Sequence, residues 1–474
     1  MSNHVYQTLI LGGGFTGLFT ALHLSHQHYP RSVILIDKEE RFCFKPLLYE
    51  YFSGEMDAQQ VRPRFEELLK GSGVIFVKDA VSSIDLVNKQ IKLASGTCYD
   101  YSNLVLSLGS VTGYFGVEGA QEYALPFRTG EDAIAVDRQL RDRLQQATQI
   151  ENPKERRKLL TVAVIGAGPA GVEMASTLAD LLPHWYEAMG GNAQEIRVVL
   201  LHQGQEILEG DVNQRLRNTA RKALQRRTVA VELFLGAQVT AIRPDILEYK
   251  RYEQSEILEA STVVWTTGTN TNPVIKTLPI PDEHRDQRGR LKVTSTLQLP
   301  NFPEVFAGGD CTVDMSASTA PGYQYQQLKL PEQQINSQPL PPTAQVAYQQ
   351  GATIARNLKA MTLGDHLVPN HVNLRGTLLK LGLEESAANL GDRFQITGEI
   401  GHLIRQSTYL QLLPTPIHNL KVTTKWLTEE VFIRYSQSIK TADAIKWVGG
   451  AVITAVVARK LLKILTDDDR VIRN

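Results

Sequence analysis

Two glycine-rich turns, each set between an apolar strand and a run with helical spacing, constrain this chain more than any other feature. The first is Gly12-Gly13-Gly14-Phe15-Thr16-Gly17, preceded by the β-rich run Tyr6 to Leu11 and followed by helical spacing from Phe15 to Ser25. Val33 to Asp37 supplies the next apolar strand and closes a βαβ unit. The second turn is Gly166-Ala167-Gly168-Pro169-Ala170-Gly171, between a strand at Thr161 to Ile165 and a helix expected to reach about Leu182. A further strand at Arg197 to Leu201 completes it. The distance between the two turns is far beyond the period of a solenoid repeat, so the duplication is architectural.

Each glycine has a physical purpose in such a unit. Gly12 permits the tight turn, Gly14 lets the backbone approach a pyrophosphate, and Gly17 lets the helix pack on the strand, while the helix N-terminus attracts the phosphates. Asp37, followed by Lys38, stands where a carboxylate can accept bonds from ribose hydroxyls. Gly166, Gly168 and Gly171 repeat the mechanics, with Glu173 two residues further on. Two such units predict two dinucleotides bound face to face, one reducing the other; the alternative is a duplicated domain with one degenerate site. Strands ending in glycine recur at Leu104 to Gly109 and at Val263 to Gly268. Val305-Phe306-Ala307-Gly308-Gly309-Asp310 then places an acid where it can hold a polyol hydroxyl.

Composition narrows the classes. A chain of 474 residues suggests about three domains. Fifty Lys plus Arg balance fifty Asp plus Glu, so no global basic field attracts nucleic acid, and none is expected as a partner. A mean hydropathy of -0.19 argues against a polytopic membrane protein. Cys43, Cys98 and Cys311 form no CxxC, and the histidines show no ligand spacing, so no metal site is expected. Cys43, between Phe42 and Phe44, reads as a small packed hydrophobe rather than a catalytic thiol. The first residues lack a charged segment followed by a long apolar one, so no secretory signal is expected.

The connections are also legible. The stretch Glu131 to Lys158 is charged and helical, with Asn152-Pro153 breaking it, and Pro321 to Pro342 reads as a long surface loop. Near the C-terminus, Trp447 to Ala458 carries no charge but is too short to span a bilayer. As a helix it continues into Arg459, Lys460 and Lys463 on one face. Two readings of that segment stand side by side: a basic amphipathic helix on a membrane surface, or a helix docking on the core or on another subunit.

The order of these motifs resembles the two-dinucleotide-binding-domain flavoproteins, and within them the type II NADH dehydrogenases, which are single-chain, non-pumping NAD(P)H:quinone oxidoreductases. Phe44-Lys45-Pro46-Leu47-Leu48-Tyr49-Glu50 looks like the family's flavin-side segment and Gly171-Val172-Glu173 like its nicotinamide-side acid. Ala344-Gln345-Val346-Ala347-Tyr348-Gln349-Gln350 is similar to its AQxAxQQ element at the quinone pocket. The resemblance implies an α/β fold of two Rossmann-like domains. An FAD domain in two parts, 1–115 and 291–415, is split by an NAD(P)H domain at 116–290, and a helical membrane-associating region follows at 416–474. It implies FAD, with NADH or NADPH as donor. The cofactor-binding positions would be Gly12, Gly14, Phe15, Thr16, Gly17, Asp37, Lys38, Pro46, Leu47, Gly109, Gly166, Gly168, Gly171, Glu173, Gly268, Gly309, Asp310 and Gln345. Glu173, Gln345 and Gln349 would carry the chemistry. A quinone in the membrane would be the acceptor, the protein sitting peripherally on the cytoplasmic, reducing side, with a homodimer left open.

The quinone element also reads from its residues. Thr343 is a plausible N-cap for a helix running toward Leu358, and Gln345 and Gln349 share one face at i and i+4. Their amides suit a neutral quinone because they donate to carbonyl oxygens without changing charge. One departure concerns the donor. Where an NADH-selective second unit has an acid at the end of its second strand, this chain has His202-Gln203, so both donors stay open, with Glu206 or Glu209 as substitutes from the loop. The other functional readings are a related reductase acting on a demethylated naphthoquinone, ferredoxin, or a peroxide or thiol, and a nucleotide-bound redox sensor.

Overall fold

The computed structural model describes residues 7–210, 212–314, 340–374, 376–390, 394–415 and 422. The chain divides into two units, Met1–Pro414 and Thr415–Asn474, and both glycine turns belong to the first. The expected surface loop Pro321 to Pro342, up to 339, and the expected basic C-terminal helix lie outside the described residues.

The fold of the first unit is α/β. Its first sheet has six strands in the order Gln298–Leu299, Phe302–Ala307, Asn103–Leu106, Gln7–Leu11, Ser32–Asp37 and Ile75–Lys78. All neighbours run parallel except the edge strand Gln298–Leu299. A central parallel strand is covered on both faces, which is why Leu9, Ile10 and Leu11 form a continuous apolar run with no exposed member. Phe302–Ala307 pairs with Asn103–Leu106, so two distant parts of the chain meet in one sheet. Between those two strands the chain builds a second parallel sheet, in the order Glu232–Leu235, Arg197–His202, Thr161–Ile165, Thr262–Trp265 and Leu125–Pro126.

The two βαβ units share one register. Leu11 lies opposite Ile36 and Ile165 opposite Leu201. Gly12 N–H donates to the Ile36 carbonyl at 2.8 Å, and Gly166 N–H to the Leu201 carbonyl at the same distance. The next residues, Asp37 and His202, are therefore equivalent positions.

The second helix differs from expectation. It runs Pro169–Ala188, through Pro183, rather than stopping near Leu182. A proline inside a helix frees the carbonyl four residues earlier. Here that carbonyl, on Ala179, accepts from Val229 N–H at 3.1 Å, so the helix continues without an orphaned acceptor. Asn152-Pro153 is a start as well as a break: Asn152 caps Lys154 N–H and Pro153 opens the helix Pro153–Leu159.

Two further pieces position the site. The helix Ala344–Leu363 packs closely along Phe15–His26, because Gly351 presents no side chain: a Cβ there would lie 2.7 Å from the Thr16 carbonyl oxygen. Thr20 Oγ1 lies within hydrogen-bonding reach of the Thr16 and Gly351 carbonyls. A three-stranded antiparallel sheet, Thr377–Lys380, Ser386–Leu390 and Phe394–Thr397, then leads into the helix Gly398–Gln411. No helix among the described residues is long and apolar enough to cross a membrane.

Candidate functional site

The first glycine turn forms a cradle that excludes side chains below and leaves space above. A Cβ on Gly12 (φ 98°) would lie 2.3 Å from the Ser107 carbonyl oxygen, and one on Gly17 1.9 Å from the Gly12 carbonyl oxygen. At Gly14 nothing lies within 4 Å of that position. Helix Phe15–His26 starts there without a side-chain cap, so its first N–H groups remain available to an anion. Asp37 Oδ2 accepts from Gly13 N–H at 2.5 Å and Oδ1 from Glu39 N–H at 2.8 Å. Burial raises its pKa, and those two donors oppose the rise. Lys38 faces solvent and pairs with Glu39 at 3.6 Å.

The opposite wall comes from the returning strand. Asp310 Oδ2 accepts from Ser110 Oγ at 3.1 Å, Arg128 Nη2 donates to Ser110 Oγ at 2.6 Å, and Arg128 stands 3.7 Å from Asp310. Gln350, buried in the helix Ala344–Leu363, accepts from Gly309 N–H at 2.7 Å through Oε1 and donates to Asp314 Oδ2 at 2.9 Å. Sequence reasoning passed over Gln350, Arg128 and Ser110. Gln350 was at least inside the motif, whereas Arg128 and Ser110 carry no local signal.

A cavity of about 390 Å³ opens over this cradle. Gly14, Phe15, Thr16, Pro46, Gly109, Glu173, Gly309 and Asp310 line it, together with Pro169 and Ala170 from the second unit and Ala344 and Ala347 from the capped end of their helix. Thr343 accepts from Val346 N–H as the cap. Leu47 is buried behind that wall. An open glycine cradle, an uncapped helix start, a carboxylate at Asp37 and another on the cavity wall at Asp310 together fit FAD.

Gln345 and Gln349 face elsewhere. Gln345 Nε2 donates to the Gly376 carbonyl at 3.1 Å. Gln349 Nε2 donates to the Asn373 carbonyl at 3.0 Å, and its Oε1 accepts from Asn373 N–H at 2.9 Å. Neither lines the cavity. Both amides grip the backbone that leads into strand Thr377–Lys380, whose Leu378 does line it.

Behind Glu173 lies a buried charge cluster. Arg405 Nη1 bonds Glu50 Oε1, and Arg405 Nη2 donates to the Pro46 carbonyl at 2.7 Å and stands 3.6 Å from Glu173 Oε1. Lys380 Nζ lies 2.6 Å from Glu55 and 3.5 Å from Glu50, while Lys380 N–H donates to Glu173 Oε1 at 2.8 Å. Burial pushes the Glu173 carboxyl up to about 7, against the pull of Arg405. Burial, helped by Lys380, holds His402 down at about 4, so its ring is neutral at pH 7. The carboxylates of Glu50 and Glu55 converge with His402, and the Lys380 ammonium lies within reach of both carboxylates. Tyr49 OH donates to the Ala170 carbonyl at 2.9 Å, tying the segment Phe44 to Glu50 to the second glycine turn.

That second turn is built as tightly as the first. A Cβ on Gly171 would lie 1.7 Å from the Gly166 carbonyl oxygen, and one on Gly166 2.6 Å from Thr267 Cβ. Gly268 (φ 76°) follows directly, and a Cβ there would lie 2.1 Å from the Gly113 carbonyl oxygen. His202 Nδ1 accepts from Ala167 N–H at 3.4 Å, Glu206 pairs with Arg221 at 2.8 Å, and Glu209 lies 4.0 Å from His202 Nε2. Cys43 also borders the cavity, and burial raises its thiol to about 11.

Residues 6–351 match the model of the pyridine nucleotide-disulphide oxidoreductase family. The chain is similar to demethylphylloquinone reductase NdbB of Synechocystis, 33% identical over 88% of this chain and 95% of that protein. It is equally similar to alternative NAD(P)H-ubiquinone oxidoreductase C1, chloroplastic/mitochondrial, of Arabidopsis thaliana, 33% identical over 89% of this chain and 80% of that one. Among solved structures, NDH2 from Plasmodium falciparum in complex with NADH has the same fold, with a TM-score of 0.78 at 18% identity, over 90% of this chain and 99% of that chain.

Proposed function

The chain belongs to the pyridine nucleotide-disulphide oxidoreductase family, in its type II NAD(P)H:quinone oxidoreductase branch, and from that premise we propose that it moves hydride from NAD(P)H to FAD and two electrons on to a quinone. One observation carries the reading. A single cavity is walled by the first glycine cradle, by the start of the second unit's helix and by the capped end of Ala344–Leu363. Cofactor, donor and acceptor would meet there.

Bound FAD would accept the hydride and pass the electrons on; the chain supplies position and electrostatics. Gly12, Gly14 and Gly17 with Asp37 and Asp310 would hold the cofactor, and Pro46, backed by the buried Leu47, would pack its ring side. Arg405, anchored on Glu50, fixes the Pro46 carbonyl and so the wall itself. Gln345 and Gln349 act as positioning residues that hold Gly376 and Asn373 and, through them, the Leu378 side of the acceptor space. This reading keeps the division at 1–115, 116–290, 291–415 and 416–474. It assigns the last segment to a membrane surface on the reducing side, where a lipid-soluble acceptor is at hand. Deletion from about Leu427 onward should move the protein from the membrane fraction to the supernatant; unchanged partition would end that assignment.

Quinone reduction consumes two electrons and two protons. Glu173 is the titratable group on the cavity wall with its pKa near the working range, at about 7, and below that pH it holds a proton at its carboxyl. Turnover with a short-chain quinone is therefore expected to fall above about pH 7, and Glu173→Gln to remove that inflection with a loss of about 10²-fold in kcat. A pH–rate profile of both proteins decides it; an inflection retained in Glu173→Gln assigns it to another group.

The reading as a whole is tested by anaerobic bleaching of the flavin with NADH and NADPH in turn, then reoxidation by a panel of quinones. A preparation without flavin, or one that neither donor bleaches, refutes it. A demethylated naphthoquinone belongs in that panel, because the 33% identity to a demethylphylloquinone reductase spans 95% of that protein. Reduction of thiols or peroxide through Cys43 is disfavoured, since its thiol stays protonated at neutral pH.

A further inference from the structure

We propose that Glu209, reaching back from the loop after strand Arg197–His202, takes the place of the missing strand-end acid and selects NADH against NADPH. The inference rests on the reading of the second unit as the NAD(P)H site.

The shared register of the two units makes the comparison direct. Asp37 follows Ile36 and His202 follows Leu201, at strand ends opposite Leu11 and Ile165. In the first unit Asp37 Oδ2 takes the Gly13 N–H. In the second, His202 Nδ1 takes the equivalent N–H, of Ala167. A neutral imidazole has one acceptor nitrogen, and the turn occupies it, leaving Nε2 as a donor. Burial lowers the His202 pKa, against Glu209, which keeps the ring in that neutral form. So the position that ordinarily accepts a ribose hydroxyl and repels a 2′-phosphate has neither function left.

The loop restores both. Leu208 sits at φ 54°, a left-handed conformation that a branched side chain adopts only when its surroundings enforce it. Leu208 N–H donates to the Ala167 carbonyl at 2.7 Å, so the same turn residue that binds His202 also clamps the loop. This folds the chain so that Glu209 Oε2 comes to 4.0 Å from His202 Nε2. Gly204 leaves room for the approach: a Cβ there would lie 2.3 Å from Glu209 Oε2 and 2.7 Å from His202 Nε2. The other described acid of the loop, Glu206, is committed to Arg221 at 2.8 Å. Glu209 remains partly exposed at the strand end, where it can accept from a ribose 2′-hydroxyl and would repel a 2′-phosphate.

The test uses the holoprotein and two fragments that cannot reduce a flavin, ADP-ribose and 2′-phospho-ADP-ribose, titrated calorimetrically beside NADH and NADPH turnover. For Glu209→Gln, the preference for ADP-ribose over its 2′-phosphate should fall at least about tenfold, and the NADH to NADPH ratio of kcat/KM with it. Adding His202→Asp, which copies Asp37, should restore the preference, whereas Glu206→Gln should leave it. An unchanged fragment ratio in Glu209→Gln at full flavin content overturns the inference. Wild-type protein that oxidises neither donor yet prefers ADP-ribose over its 2′-phosphate, with that preference lost in Glu209→Gln, would instead overturn the enzymatic reading and leave this one standing.

Discussion

Gly171→Ala is expected to give a protein that is still yellow but is reduced by NADH at least about 10²-fold more slowly. The added methyl carbon would lie 1.7 Å from the Gly166 carbonyl oxygen and 2.8 Å from the Thr266 hydroxyl, well inside any van der Waals contact. The neighbour at closest approach is backbone, so the strain cannot be relieved by a side-chain rotation. The start of helix Pro169–Ala188 must move away from strand Thr161–Ile165, and it carries Pro169, Ala170 and Glu173 out of the cavity wall with it. A shift of about 1 Å in a group that orients a substrate suffices for a loss of that size. The first cradle belongs to the other sheet and keeps its own packing, so cofactor content should hold. Gly17→Ala is the mirror case, with a Cβ 1.9 Å from the Gly12 carbonyl oxygen, and should lose the colour first. Flavin absorbance per protein and stopped-flow bleaching separate the two variants. Loss of colour and of reduction together in Gly171→Ala would show that the two cradles do not act independently.

The contrast between the cradles and the rest of the site shows what a sequence makes legible. A βαβ unit declares itself within a short window, because turn glycine, apolar strand and helix spacing are local requirements. Thr161–Ile165 therefore falls where the pattern puts it, and Thr262–Trp265 starts one residue before the run Val263 to Gly268. Features settled by distant partners do not show. Pro183 reads as a helix end until Val229, far along the chain, supplies a donor for Ala179. Gln345 and Gln349 look like acceptor ligands from their spacing alone, and only their bonds to Gly376 and Asn373 show where their amides point. Gln350, beside them, accepts from Gly309 N–H and so braces the cavity wall more directly than either. The charge cluster was the least visible part, since Glu50 stood in a motif while Lys380, His402 and Arg405 gave no local sign of converging on it.

Arg405→Met should be the most destabilising single change in that cluster. Arg405 is 1% exposed and its partner Glu50 fully buried, so the variant leaves a buried carboxylate with Lys380 at 3.5 Å as its nearest remaining cation. Breaking one side of a buried pair costs about 3–5 kcal/mol, more than an exposed pair could contribute, because the unpaired charge stays desolvated. The Pro46 carbonyl loses its donor as well. A fall in Tm on the order of 10 °C follows for a unit of this size. The sign of the pH dependence identifies the cause. In the wild type, burial raises the Glu50 pKa, but Arg405, Lys380 and His402 together hold it below the ordinary 4.5. Its contribution is thus present above that value and lost as pH falls through the folded pKa. Without Arg405 burial dominates and the carboxyl rises, so the folded variant binds a proton more readily than the unfolded chain and gains stability on acidification. The Tm gap between wild type and Arg405→Met should therefore narrow from about pH 7.5 to about pH 5.5. Adding Glu50→Gln to the variant should recover part of the loss at neutral pH, since an amide is less costly to bury than an unpaired charge. A gap that stays constant across that range, with no recovery in the double variant, would place the cost in the lost contact of the Arg405 guanidinium with the Tyr409 ring, whose centroid lies 5.1 Å from the guanidinium carbon.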